Sequence, residues 1–141
     1  MKDSRWIGYK NRAEGDFTQE LTERELNRLG YRMVEAVNTP WKVIRNGKRI
    51  VGAFPVAKVS GDFRALEPMT GRSVLVEVKS HKGDTLPWSA FEDHQRRALE
   101  EHHVTGGISL ISWVIDGKVL IWKWPVEGFG PGKSIPMPGK Q

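Results

Sequence analysis

The segment Ser73–Ser80, SVLVEVKS, constrains the fold more than any other stretch of the chain. In a strand, successive side chains point to opposite faces, so Val74, Val76 and Val78 share one face. Ser73, Leu75, Glu77 and Lys79 share the other. Three valines in a row on one face demand a covering layer, which makes this strand an inner element of a layered domain. The two charges opposite them have two readings. They are either a solvated surface pair, worth less than about 1 kcal/mol, or functional groups mounted one pleat apart.

The remaining segments supply the layers. Asp16 followed by Gln19 resembles a capping pair, and Gly30 suits the position just past a helix end, so a first helix is predicted between them. Phe17, Leu21 and Leu29 fall on its apolar face, with Glu20 at the border. YRMVEAV (31–37) reads as a short strand. WKVIRNGKRIVGAF forms two β-prone arms around Asn46-Gly47, a strong hairpin signal. AKVSGDFRALE is extended and is turned by PMTG into the valine strand. Ser89 and Glu92 are spaced as a capping box over SAFEDHQRRALEEHH, a second helix. GGISLISWVI and KVLIWKWPV flank Asp116-Gly117 as a closing hairpin. The sequence thus predicts an α/β domain over 16–127, with a central mixed sheet flanked by helices. A flexible basic arm (1–15) precedes it and a Gly/Pro-rich, poorly ordered tail (128–141) follows.

Composition narrows the chemistry. The 141 residues carry a net charge of +5, and no acidic residue lies between Asn38 and Gly61. The hairpin there carries Lys42, Arg45, Lys48 and Arg49, which is either a charged edge kept soluble or a polyanion contact. Cysteine is absent, excluding disulfides and thiolate metal sites. The opening MKDSRWIGYK has no apolar run and no stretch is long enough to span a bilayer, so neither a secretory leader nor a membrane partner is expected.

Asp62 decides between the readings of the charged face. It follows Gly61 in the preceding strand, and the short PMTG turn can bring it beside Glu77. Two converging carboxylates next to Lys79 form a hard oxygen site for Mg²⁺ or a similar ion. Gln95 falls in the arc Gln95, Ala98, Leu99 and His102 of the second helix. It is either a hydrogen-bonded core amide or a group aimed at the site. His102 and His103 are about 100° apart on a helix, a poor zinc geometry.

GDF (61–63) and EVK (77–79), with fourteen residues between Asp62 and Glu77, resemble the PD-(D/E)XK nuclease motif, with Gly61 where that motif has proline. KNR near the start, TPWKVI, EVKSHKGDTLPWSAFEDHQ and GGISLISWV resemble, in order, the RecU-type Holliday junction resolvases. The F-x-x-HQ element (91–95) is the most specific part, and the likeness runs over about residues 10–124. The resemblance implies a restriction-endonuclease-like core and a homodimeric, metal-dependent endonuclease. Such an enzyme nicks four-way DNA junctions symmetrically in recombination and repair, in the cytoplasm of a bacterial or phage-infected cell. It implies Mg²⁺, for which Mn²⁺ can substitute, and no small-molecule cofactor. Asp62 and Glu77 would be metal ligands, Lys79 the catalytic lysine, and Gln95 the glutamine of the HQ pair. An acidic residue of the first helix would join them: Glu20, with Asp16, Glu23 and Glu25 as alternatives. The 41–54 hairpin would be the family's stalk, with Lys42, Arg45, Lys48 and Arg49, and Arg12 of the arm, on DNA. Another nuclease target, as in a repair nickase or restriction-type enzyme, and a catalytically idle DNA-binding module stay open at this level.

Overall fold

The computed structural model describes residues 17–37, 41–55 and 61–138. Most of the arm, Arg12 included, lies outside them. A five-stranded sheet forms the centre, in the order β1 (Arg32–Ala36), β4 (Phe63–Leu66), β5 (Ser73–Ser80), β7 (Ile108–Ile115), β8 (Lys118–Lys123). Between β1 and β4 in the chain come β2 (Trp41–Asn46) and β3 (Arg49–Pro55), which among the described residues pair with each other alone. All neighbours in the central sheet are antiparallel except β5 and β7, which are parallel. A parallel pair needs a crossover, and α2 (Asp93–Val104) provides it. The result is an α/β fold with a mixed central sheet flanked by helices. No helix among the described residues is long and apolar enough to cross a membrane.

The alternation read in the valine strand divides the two faces. Val74 and Val76 are fully buried with Phe63, Ala65, Ile108 and Leu110 beneath Leu26 of helix α1 (17–28). Leu75 belongs to the opposite layer with Ile111 and Trp113, covered by Leu99 of α2 and by Leu86, Phe91 and Trp124.

Helix α1 is rotated from the expected phase. Thr22 and Leu26 are its buried residues, whereas Phe17 is 53% and Leu29 46% exposed. The cause is a polar contact that apolar counting overlooks: the Thr22 hydroxyl shares a buried 2.8 Å hydrogen bond with that of Ser112 on β7. A hydroxyl pair that satisfies itself can lie in a core, so threonine takes the inward position.

Two boundaries also differ. Helix α2 starts later than expected. Trp88–Ala90 forms a separate 3₁₀ turn, and Glu92, not Ser89, is the N-cap, in a capping box with Gln95. The tail is not loose where it is described. Ser134–Pro136 forms β9, antiparallel to β6 (Thr85–Pro87), and Ile135 is 1% exposed. Phe129 stands edge-on to Trp88, Phe91 and Trp124. Gly and Pro here build tight turns between anchored apolar residues, and composition alone does not separate that from disorder.

If β9 is part of the core, Ile135→Ala destabilises the protein by about 2–4 kcal/mol, the range for a large-to-small core change. Urea unfolding measures it; a loose tail would give no change.

Candidate active site

The β4–β5 register builds the site. Phe63 lies opposite Val76, which sets Asp62 beside Glu77 at the end of the ladder, on the face away from the valines. Gly61 makes the approach possible. Its φ is +86°, a region open mainly to glycine, and an added Cβ would stand 2.2 Å from a Leu75 methyl. Its N–H donates to Glu77 Oε2 at 3.1 Å. A proline there would have neither the φ nor the donor, which accounts for glycine at the position where the resembled motif has proline.

Asp62 is fixed from both ends. Its N–H donates to the Val76 carbonyl at 2.7 Å and its carbonyl accepts from Val37 N–H at 2.8 Å. Its carboxylate Oδ2 accepts from Val78 N–H at 2.7 Å, leaving Oδ1 without a backbone donor among the described residues. Glu77 is only 3% exposed. Burial first, then the neighbouring charge of Asp62, raises its carboxyl from the usual 4.5 to about 8, with Lys79 and the Gly61 N–H acting in the opposite direction. Near neutrality, the pair therefore holds a proton between two carboxylates.

Helix α2 closes the site. Gln95 Nε2 donates to Glu77 Oε1 at 2.8 Å, and Gln95 Oε1 accepts from the Lys79 ammonium at 2.8 Å. Lys79 also lies 5.2 Å from the centre of the Phe91 ring, a cation–π distance. Asp62, Glu77, Lys79 and Gln95 are thus one connected group. The two sequence readings of Gln95 merge: it is a hydrogen-bonded amide and it belongs to the site.

Glu20 is not brought to this group. Helix α1 lies on the valine face of the sheet through Thr22 and Leu26, and Glu77 is on the other. Glu20 is exposed and about 200° around the helix from Thr22. Of its alternatives, Glu23 is exposed, Glu25 is tied to Arg28 at 2.6 Å, and Asp16 lies outside the described residues. The helix phase explains the displacement: reading Leu21 as buried brought Glu20 to the edge of the core. His102 is no ligand either, since its ring nitrogens meet the Ser109 and Ser73 hydroxyls, each at 3.1 Å, and burial lowers its pKa. Lys42, Arg45, Lys48 and Arg49 are all exposed on the β2–β3 hairpin.

Sequence reading missed three contributors. The Gly61 N–H and the Val78 N–H are backbone groups that no residue-type pattern reveals. Phe91 was legible as the first residue of the F-x-x-HQ element, but not as the ring facing the Lys79 ammonium. The unusual Gly61 before Asp62 was the one available signal.

Among the described residues no cluster of three or more His, Asp, Glu or Cys forms. The carboxylates nonetheless fit a divalent cation. Mg²⁺ is commonly held by one or two carboxylates, with water and substrate phosphate completing its shell, and a cation would offset the Asp62 repulsion that adds to burial in raising Glu77.

The raised Glu77 carboxyl sets a sign for pH dependence. The folded protein binds this proton more tightly than the unfolded chain, so its contribution is fully present below about pH 4.5 and is lost as pH rises toward 8. In chelator, the stability of Glu77→Gln relative to wild type should increase across that interval, as measured by urea unfolding; a constant difference would contradict the buried-acid geometry. Gly61→Ala should cost about 2–4 kcal/mol by the same method, from overpacking and a strained φ.

No protein-family model matches the chain and no curated protein matches it, so its functional reading rests on the geometry of these four side chains.

Proposed function

We propose that the protein is a metal-dependent endonuclease of restriction-endonuclease-like architecture that resolves four-way DNA junctions. The observation that carries this reading is the convergence of Asp62, Glu77 and Lys79, with Gln95 bonded to both Glu77 and Lys79. A carboxylate pair that can hold a divalent cation, with a lysine beside it, is equipment suited to phosphodiester hydrolysis. Negative charge grows on the nonbridging and leaving oxygens, and cationic groups must be positioned there before reaction. A binding module gains nothing from turning two carboxylates toward phosphate.

Asp62 and Glu77 would hold Mg²⁺ or Mn²⁺. When bound, such an ion lowers the pKa of water and polarises a phosphoryl oxygen. The chain's own groups do the rest. Asp62, through its Oδ1, and Glu77 define where the cation sits. The Lys79 ammonium, steadied by Gln95 and Phe91, places positive charge beside the reacting phosphate. The buried sheet behind them excludes bulk water from one side. Water oxygen would bond to phosphorus as the bond to the departing sugar oxygen breaks, one water proton leaving to solvent and the sugar oxygen taking one up to become a hydroxyl.

The β2–β3 hairpin supports a nucleic-acid partner. It forms its own two-stranded sheet, and Lys42, Arg45, Lys48 and Arg49 all lie in solvent. Val43, Ile44, Ile50 and Val51 on the same hairpin are each more than 40% exposed. Phosphate contacts from such cations orient a duplex without reading bases. In a homodimer, two such hairpins and two sites related by a two-fold axis would match the symmetry of a four-way junction.

The test uses labelled four-way junction, linear duplex and splayed fork, each with Mg²⁺ and with chelator. The expected result is paired nicks on the junction, abolished by chelator. Glu77→Ala and Lys79→Ala should each lose at least about 10²-fold in rate. Cleavage surviving in Glu77→Ala or in chelator would remove the mechanism, and junction binding with no cutting under any condition would mark a binding module. Replacing Lys48 and Arg49 together by alanine should weaken binding to every sequence and reduce the salt slope by about 2. Unchanged binding would exclude the hairpin as a DNA contact.

A further inference from the structure

The four-membered group contains one amide whose orientation has to be decided. A carboxamide presents one acceptor and one double donor, and reversing it exchanges them. Gln95 Oε1 receives two donors: the Lys79 ammonium at 2.8 Å and the backbone N–H of Glu92 at 2.9 Å. Reversal would aim the NH₂ at both. The amide is therefore held with Nε2 toward Glu77 Oε1.

The two donors are unequal. Lys79 is a point charge on a flexible four-carbon stem and cannot serve as a fixed reference. The Glu92 N–H belongs to the backbone of the helix N-cap, with φ −77° and ψ 157°. It is further fixed by Phe91, whose N–H donates to the Trp88 carbonyl at 3.1 Å, closing the 3₁₀ turn. Ordinarily, the N3 side chain of a capping box serves only to satisfy an orphan N–H at the helix start. Here that same side chain continues to Glu77 and Lys79.

We propose that the backbone N–H of Glu92 is the positioning group of the site: it anchors the Gln95 amide, which in turn sets the spacing of Glu77 and the Lys79 ammonium. Gln95 is then a positioning residue rather than one that touches the phosphate, and helix capping and site assembly are a single hydrogen-bonded structure. The catalytic consequence rests on the nuclease reading; the positioning itself does not.

Two substitutions separate the N–H from the carboxylate of Glu92. Glu92→Ala removes the carboxylate and keeps the N–H. Glu92→Pro removes the N–H as well, and the local backbone suits it: φ of residue 92 is already −77°, and Phe91 before it is extended at φ −103° and ψ 135°. The first readout is independent of activity. In ¹H–¹⁵N spectra of the metal-free protein, the Gln95 carboxamide pair, assigned by its loss in Gln95→Ala, should be displaced from the exposed-glutamine position. It should stay displaced in Glu92→Ala and return to the exposed position in Glu92→Pro. The second readout is junction cleavage, where Glu92→Pro should lower kcat about tenfold or more relative to Glu92→Ala, with little change in KM. A Gln95 pair that remains displaced in Glu92→Pro, or is lost equally in both variants, overturns the proposal. A displaced pair without cleavage of any DNA by wild type would leave the anchor standing and remove only the nuclease reading. If Glu92→Pro fails to fold, as judged by circular dichroism, the ester-for-amide variant at residue 92 removes the N–H alone and takes its place in both measurements.

Discussion

Burial of the Glu77 carboxyl is the constraint on which the rest of the site depends. A carboxylate that is 3% exposed must find hydrogen-bond donors or carry a proton. This one does both. Gly61 and Gln95 each donate one N–H, and Asp62 helps to keep the group protonated. Each donor fixes a different part of the fold: Gly61 the start of β4, Gln95 the first turn of α2. Elements distant in the chain are tied to one side chain of β5, so the position of the carboxyl and the arrangement of the surrounding elements determine one another.

The same feature sets stability against readiness for chemistry. A group held at about 8 favours the fold when protonated and opposes it when charged. A cation beside Asp62 would change that balance, because both carboxylates could then ionise without mutual repulsion. An apolar residue at position 77 would serve the core better and leave nothing to bind with. Strain of this kind at a polar cluster inside an otherwise apolar layer is characteristic of functional sites.

Much of this was legible in the sequence, for identifiable reasons. Period-two alternation placed the valines in the core and Glu77 with Lys79 on the other face. The turn residues of PMTG and Asp116-Gly117 located two strand connections, and helical spacing put Gln95 among Ala98, Leu99 and His102. The failures share a cause. Thr22 was overlooked because a hydroxyl is buried only when a partner such as Ser112 lies opposite, and that partner lies far away in sequence. Glu20 was misplaced with it. Ser89 was chosen over Glu92 because both precede a helical pattern, and only the 3₁₀ turn distinguishes them. Glycine and proline after residue 128 suggested looseness, since composition does not register the pairing of β9 with β6.

That last pairing reaches beyond the two strands it joins. β6 runs straight into the 3₁₀ turn and then into Glu92, and the Trp88 N–H is received by the Lys133 carbonyl. Met137 N–H, in turn, is bonded to the Asp84 carbonyl. Residues 133–137 are therefore a clasp on the segment that leads to Gln95, and the site is braced once β9 has docked on β6. During synthesis, a polypeptide from which β9 has not yet emerged would lack this clasp. Carboxylates, lysine and glutamine, all earlier in the chain, would precede it and stay out of register until β9 closed.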